Sequence, residues 1–439
     1  MNPLRIDPRL RAQMRSLVAE LDPEDGQPNP RKSSPPPNHH YADSRLCAEV
    51  FRVLMLALAE PGAMPPGGAD VLEVKPALTP DVAAAVERLR RVDDVAHVAL
   101  MPDVHLCQDV CIGTVLGTHG RLYPAAIGGD VGCGVATVAF DGDGDGGQRP
   151  NDAAARQVLA DLTHLMPTRT HKHDTPLPDD LEDMPLPSRA LSTLRRRTGR
   201  REFGTLGRGN HFAEVQIELH GDTPGRIWAM VHSGSRALGP AIQTAHRDGP
   251  GLSSIDAESE AGLAYLTDLD FAITYAQASR RHMLQVMAVV LEERLGLQMR
   301  PETYLDCGHN HVRRETHGGT ALWVHRKGAI PAADGEPGLI PGSMGDETCH
   351  VVGKGHPEAL GSASHGAGRR LSRTEARGRI GERELHRQMR GVIFNEALAA
   401  ALREEAPGVY RPLDAVLRAE RDLVGVARRL RPRISYKGT

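Results

Sequence analysis

The run from Tyr123 to Gly134, Tyr-Pro-Ala-Ala-Ile-Gly-Gly-Asp-Val-Gly-Cys-Gly, constrains this chain more than any other stretch. Its glycines open backbone conformations closed to residues with a Cβ, so the segment reads as a tightly folded loop whose side chains at 130 and 133 can turn into one site. Those side chains are a carboxylate and a thiol, in a chain with only six cysteines among 439 residues. A carboxylate and a thiolate joined by imidazoles suit Mn²⁺, Zn²⁺ or Fe²⁺. Taken alone, Asp130 and Cys133 are equally well read as part of a Gly-rich turn around a small buried thiol.

The imidazoles come later, each in a segment rich in Gly, Ser or Asn: Gly209-Asn210-His211, His232-Ser-Gly-Ser-Arg236, His309-Asn310 and Ser364-His-Gly-Ala-Gly-Arg369. His232 ends the apolar strand-like run Trp228–Val231, and His309 follows Tyr304-Leu-Asp-Cys-Gly308 in a similar setting. A lone histidine at a strand end usually has a structural role. Three of them beside Asp-x-x-Cys point to a metal centre, and a Cys133 thiolate between two divalent ions would be deprotonated by them. The absence of HExxH and CxxC removes the zincin and zinc-ribbon readings. His365 differs, because its small neighbours leave the imidazole open to a nucleotide and Arg369 can neutralise phosphate charge. It reads as a covalent nucleophile carrying a phosphoryl-linked group, with a fifth metal ligand or a backbone-bonded loop histidine as the other readings.

Hydrophobic residues make up 40% of the chain, enough for a sizeable core, and aromatic residues only 3%, which argues against a nucleic-acid surface built on stacked bases. A net charge of -3 excludes a generic polyanion binder. The N-terminus lacks a signal-peptide core, and no apolar run approaches the roughly 18 residues of a membrane span. Cys47, Cys107, Cys111, Cys133, Cys307 and Cys349 form no secreted disulfide framework, so a cytoplasmic protein with functional thiols is expected.

Patterning predicts helices over 1–20, 42–59, 79–92, 151–165, 382–402 and 413–420, with a Pro-rich linker at 22–40 and Thr79 as an N-cap before Pro80. Residues 257–297 read as two helices. Short strands are expected at 97–100, 111–115, 135–139, around Ile217, at 228–231 and between 304 and 352. The acidic Asp141–Gly146 run reads as a solvated turn rather than a calcium loop, since no helix enters it.

In order along the chain, Met101-Pro-Asp-Val-His105, Pro124–Gly134, Gly204-Thr-Leu-Gly-Arg-Gly-Asn-His211, His232–Arg236, His309-Asn310, Pro341-Gly-Ser-Met-Gly345, Ser364–Arg369 and Tyr436-Lys-Gly438 resemble the motif series of the RtcB family of GTP- and manganese-dependent RNA-splicing ligases. The resemblance implies an α+β fold, a mixed sheet core with surrounding helices and a central cleft for metal and nucleotide. It also implies an atypical N-terminal helical segment and linker over 1–71, and a catalytic domain over 72–439. By motif, Asp130, Cys133, His211, His232 and His309 would hold two Mn²⁺ ions, with Cys133 bridging. His365 would take GMP from GTP. Asn210, Glu214, Asn310, Ser343, Met344, Gly366, Ala367, Gly368, Tyr410 and Lys437 would contact the guanylate. The implied partner is RNA with a 2′,3′-cyclic phosphate or 3′-phosphate end and a 5′-hydroxyl end, sealed by a monomeric enzyme. Two alternatives remain: a metal-dependent phosphodiesterase or phosphatase acting on RNA ends, and a non-catalytic RNA-repair scaffold.

The chain departs from the family pattern where three glycines usually precede Asn-His, here Gly207-Arg208-Gly209, and where Gly-x-Gly usually follows His105, here Leu106-Cys107-Gln108-Asp109-Val110-Cys111. Arg208, Arg236 and Arg369 are the candidate RNA-phosphate contacts. Arg189, Arg195, Arg196, Arg197, Arg200 and Arg201 form a basic run that reads either as a guide for the phosphate backbone or as a solvated loop.

Overall fold

Cys133 is followed at once by the strand Gly134–Asp141, in which every residue to Phe140 is buried. Side chains alternate across a strand, and here both faces are apolar. Val135 and Ala139 meet Ala99, Met101 and Val115 of a second sheet. Ala136, Val138 and Phe140 meet Val286, Val289 and Val290 of a long helix and Val158 and Leu162 of another. The strand is therefore central in a sandwich of sheet, sheet and helices, a mixed α+β fold as expected. The computed structural model describes residues 4, 6–21, 70–73, 78–107, 109–142, 150–220, 223–247 and 251–438. The expected 42–59 helix, the 22–40 linker, Cys47 and most of the acidic run lie outside the described residues.

The larger sheet runs Pro337–Pro341, Thr348–Gly353, Val424–Lys437, Phe212–His220, Thr223–Ser233, Gly134–Asp141 and Gln298–Gly308, with Ile393–Phe394 pairing parallel to Val424–Lys437. Its register explains the site. Gly134 lies opposite both Ser233 and Gly308, Phe212 lies opposite His232, and Lys437 lies opposite Phe212. Cys133, His211, His232, His309 and Lys437 are thus brought to one end of the sheet by strand pairing alone. The smaller sheet orders Asp70–Glu73, Val95–His105, Ile112–Thr118, Thr320–Lys327 and Asn310–His317.

The 257–297 region is one helix, Glu260–Leu295, not the expected two. Ser259 caps its start by accepting from Gly262 N, and Gly296 ends it with φ 66. Beyond Gly262 its sequence holds neither Pro nor Gly, so nothing breaks the hydrogen-bond ladder. The predicted 382–402 helix is the reverse case: Glu382–Gln388 is helical, Gly391 takes φ 85, Ile393–Phe394 join the sheet, and a short helix resumes at Ala399–Leu402. Sheet pairing outweighs local helix propensity there. Helices Pro80–Arg90, Asp152–Leu165 and Leu413–Ala419 stand where patterning put them, though Thr79 makes no side-chain cap bond while Asn151 accepts from Ala154 N. The N-terminal helix Pro8–Glu20 lies on the long one, with Arg11 and Arg15 both on Glu292 and Val18 in the main core. Among the described residues no helix is long and apolar enough to cross a membrane.

Candidate active site

At the sheet end, Cys133 Sγ lies 3.2 Å from His232 Nε2 and 3.5 Å from His211 Nε2. His211 Nε2 is 2.9 Å from Asp130 Oδ2, and His232 Nε2 is 3.4 Å from His309 Nε2. Cys133, His211 and His232 form a group whose ligand atoms lie within 4.8 Å of one another, a metal-binding site. Two glycines make this packing possible. Gly132, at φ 69, lets the loop reach the long helix, where a Cβ would stand 2.9 Å from Ile273 Cα. Gly207, at φ 96, would with a Cβ stand 2.1 Å from His211 Nδ1.

The loop is also held by a residue with no motif to mark it. Arg280, fully buried on the long helix, donates from Nη1 to Gly132 O at 2.8 Å and to Ser233 O at 2.7 Å. Its Nε and Nη2 pair with Asp306 at 3.0 and 2.7 Å. One cation thus ties together the chain beside Cys133, the chain beside His232, and the strand that leads to His309.

The donor set fits a divalent cation chemically. Burial holds His232 and His309 well below the ordinary histidine range, so both imidazoles are neutral with lone pairs to offer. Burial raises the carboxylate of Asp130, but His211 outweighs it and brings Asp130 to about 2, ionised at any ordinary pH. Burial and the Asp130 charge push the Cys133 thiol well up. Only a cation beside the sulfur makes it a thiolate, which a bound metal does outright.

Two cavities meet at this cluster. The first, about 760 Å³, is lined by Asn210, Glu214, Ser343, Met344, Gly366, Ala367, Gly368, Arg369, Tyr410 and Lys437 among others. The second, about 250 Å³, is lined by Asp130, Cys133, His309 and Asn310. His365 lines both. Its ring centroid is 4.9 Å from that of His309, and its Nδ1 stands 2.6 Å from Asp103 Oδ2.

The other predicted residues fall into two groups. Every expected guanylate contact except Asn310 lines the first cavity. Asn310 faces the second, where its amide donates to Asp130 O at 2.9 Å and accepts from Gly328 N at 2.8 Å, bracing the loop. Behind three residues that line the first cavity, buried Glu405 accepts from Tyr410 Oη and pairs with Lys437 at 3.0 Å and Arg369 at 3.0 Å. Arg369 is therefore committed to protein partners. So is Arg236, at φ 58, which donates to Thr205 Oγ1 and Thr168 O. Arg208 is exposed. In the basic run, Arg195 donates to Leu181 O and Met184 O and Arg200 pairs with Glu182, whereas Arg196, Arg197 and Arg201 are exposed.

Asp103, Glu405 and Arg280 were not singled out by sequence reasoning. Asp103 and Glu405 carried a usable signal, an acid inside an otherwise apolar or small-residue motif. Arg280 sits in an unbroken helix with no such marker.

The family model for the tRNA-splicing ligase RtcB matches residues 83–184 and 179–438. The RNA-splicing ligase RtcB of Escherichia coli (strain K12) is 34% identical over 384 residues, covering 78% of this chain and 90% of that protein. The tRNA-splicing ligase RtcB of Thermococcus kodakarensis is 29% identical over 423 residues, covering 77% of this chain and 87% of that protein. The RNA-splicing ligase RtcB of Mycobacterium tuberculosis is 28% identical over 407 residues, covering 75% and 93%. With a cysteine–histidine metal cluster at the end of its sheet and these matches along most of its length, the chain is an enzyme of the ligase type and belongs to the RtcB family.

Proposed function

We propose that this enzyme joins an RNA 3′-phosphate end, or a 2′,3′-cyclic phosphate opened to one, to a 5′-hydroxyl end, using GTP. The observation that carries the reading is the position of His365, between a cavity of nucleotide size and a cavity lined by Asp130, Cys133 and His309.

A phosphate monoester is a poor electrophile, because the attacking hydroxyl would have to expel an oxide-like leaving group. Activation solves this. With Asp103 Oδ2 2.6 Å from His365 Nδ1, Nε2 is the nitrogen left to attack the α-phosphorus of GTP and release pyrophosphate, and the carboxylate offsets the positive charge that the ring then gains. The 3′-phosphate oxygen of the RNA then takes GMP from His365 as RNA-3′-pp-5′-G. The 5′-hydroxyl attacks the RNA-side phosphorus, GMP leaves, and a 3′,5′ linkage remains. Lys437, Tyr410, Asn210, Glu214 and the 343–344 and 366–368 segments line the cavity that takes the guanylate. Burial lifts Glu214 to about 7 despite the bonds its two oxygens accept from Gln216 at 2.8 Å and Ser435 at 2.9 Å, which fix the carboxyl at the cavity wall. Two Mn²⁺ ions, for which Asp130, Cys133, His211, His232 and His309 are the donors, would neutralise phosphate charge and activate an attacking oxygen.

The test is incubation with GTP, Mn²⁺ and RNA strands ending in 3′-phosphate and 5′-hydroxyl. Sealed product that needs both GTP and Mn²⁺ is expected. Release of phosphate without sealing would instead assign the site to end hydrolysis.

A further inference from the structure

We propose that Asp109 is an internal competitor for the terminal phosphate of the RNA, holding Arg247 at the second cavity until a phosphate monoester displaces it. The inference rests on the RNA-end reading above. Asp109 lies in the Leu106–Cys111 segment, where the chain departs from the Gly-x-Gly of its family, and its backbone takes φ 55, a left-handed conformation that Asp tolerates better than most residues. Arg247 Nη2 donates to Asp109 Oδ2 at 2.9 Å. The two side chains are 28% and 25% exposed, so a ligand can reach the pair.

The surroundings suit a phosphate. Arg247 follows the helix Leu238–Ala245, whose end is tied down by the His246–Asp268 pair at 2.7 Å. Lys327, the second cation of this cavity, is fixed by a 3.2 Å bond to Ala125 O. Asp130, Cys133 and His309, the expected metal donors, also line it, and a divalent cation held there would turn positive charge toward the phosphate. At about 250 Å³ the space takes a phosphate group rather than a whole nucleotide. A carboxylate carries one negative charge and a phosphate monoester close to two near neutral pH, so the monoester displaces Asp109 where a 3′-hydroxyl end does not. Asp109 thereby weakens the hold on phosphorylated ends and leaves 3′-hydroxyl ends untouched.

The experiment compares two otherwise identical fluorescent RNAs, one ending in 3′-phosphate and one in 3′-hydroxyl, by anisotropy with Mn²⁺ and without GTP. Asp109→Asn keeps the size and left-handed tolerance of the residue but removes the negative charge opposite Arg247, which still donates to Gly251 O at 3.4 Å. It should tighten the 3′-phosphate strand by about 3- to 10-fold and leave the 3′-hydroxyl strand unchanged. Arg247→Ala should weaken only the 3′-phosphate strand. An Asp109→Asn protein that binds the 3′-phosphate strand no more tightly, or both strands equally more tightly, overturns the proposal, as does an Arg247→Ala protein with wild-type affinity. Guanylylation of the wild-type protein by GTP, run without RNA, reads the ligase assignment separately, so either can fail without the other.

Discussion

Replacing Arg280 with Met removes the cation that ties the metal loop to the sheet while nearly keeping its length and volume. The cost can be worked from its contacts. Asp306, whose side chain is 8% exposed, loses a two-pronged partner and keeps only Tyr304 Oη at 3.2 Å. Stranding one member of a buried pair costs about 3–5 kcal/mol. The carbonyls of Gly132 and Ser233 also lose their charged donor, at about 1–3 kcal/mol each, although losses that share one side chain do not add in full. The expected total is about 4–6 kcal/mol, a large part of the roughly 5–15 kcal/mol of a folded domain. Urea unfolding in EDTA, followed by circular dichroism, reads this as a lower midpoint. The double variant Arg280→Met/Asp306→Leu removes the stranded carboxylate and should recover about half the loss. A single variant within about 1 kcal/mol of wild type, or a double variant no better than the single, would refute the view that this ion pair holds the loop.

Three further outcomes are expected. Cys133→Ser should lower bound manganese at matched free Mn²⁺ and abolish most of the Mn²⁺-induced rise in melting temperature, because a hydroxyl is far harder to deprotonate than a thiol; elemental analysis showing full occupancy would count against a metal-bound Cys133. Asp103→Asn should slow guanylylation by roughly 10²-fold or more, since a neutral amide no longer offsets the positive charge the His365 ring gains when Nε2 bonds phosphorus, while GTP affinity stays close to wild type. Glu420 is pushed by burial to about 8 in the folded chain, against an ordinary 4.5, and accepts from Ser364 N next to His365. The folded state holds this proton across that window, so the stability it gives is full below about 4.5 and lost as pH rises towards 8. Glu420→Gln should therefore come close to wild type in unfolding free energy from urea titration at pH 5 and exceed it at pH 8, by on the order of a few kcal/mol.

The residues that meet at the centre were legible because their chemistry is unusual and local: a thiol and a carboxylate among glycines, and histidines at strand ends. Register then does what spacing could not announce, placing Gly134 between Ser233 and Gly308 so that distant histidines converge. The long helix was split in the sequence reading because its apolar residues mark no single stripe. It is buried on several sides, against the sheet, the N-terminal helix and the metal loop, so one-face periodicity is absent. The 382–402 segment failed for the opposite reason, a helical composition interrupted by sheet pairing at Ile393–Phe394. Asp103, Glu405 and Arg280 act through partners far away in sequence. Asn310 carries a donor and an acceptor that its motif position cannot aim, and only the fold turns it to the second cavity.

The central claim is that His365 carries the guanylate. The direct measurement is peptide mapping of the protein after incubation with Mn²⁺ and GTP labelled at the α-phosphate. The account predicts label on the peptide containing His365 and none in a His365→Ala protein that still binds manganese. Label on the peptide containing Lys437, or undiminished label in the His365→Ala protein, would contradict it.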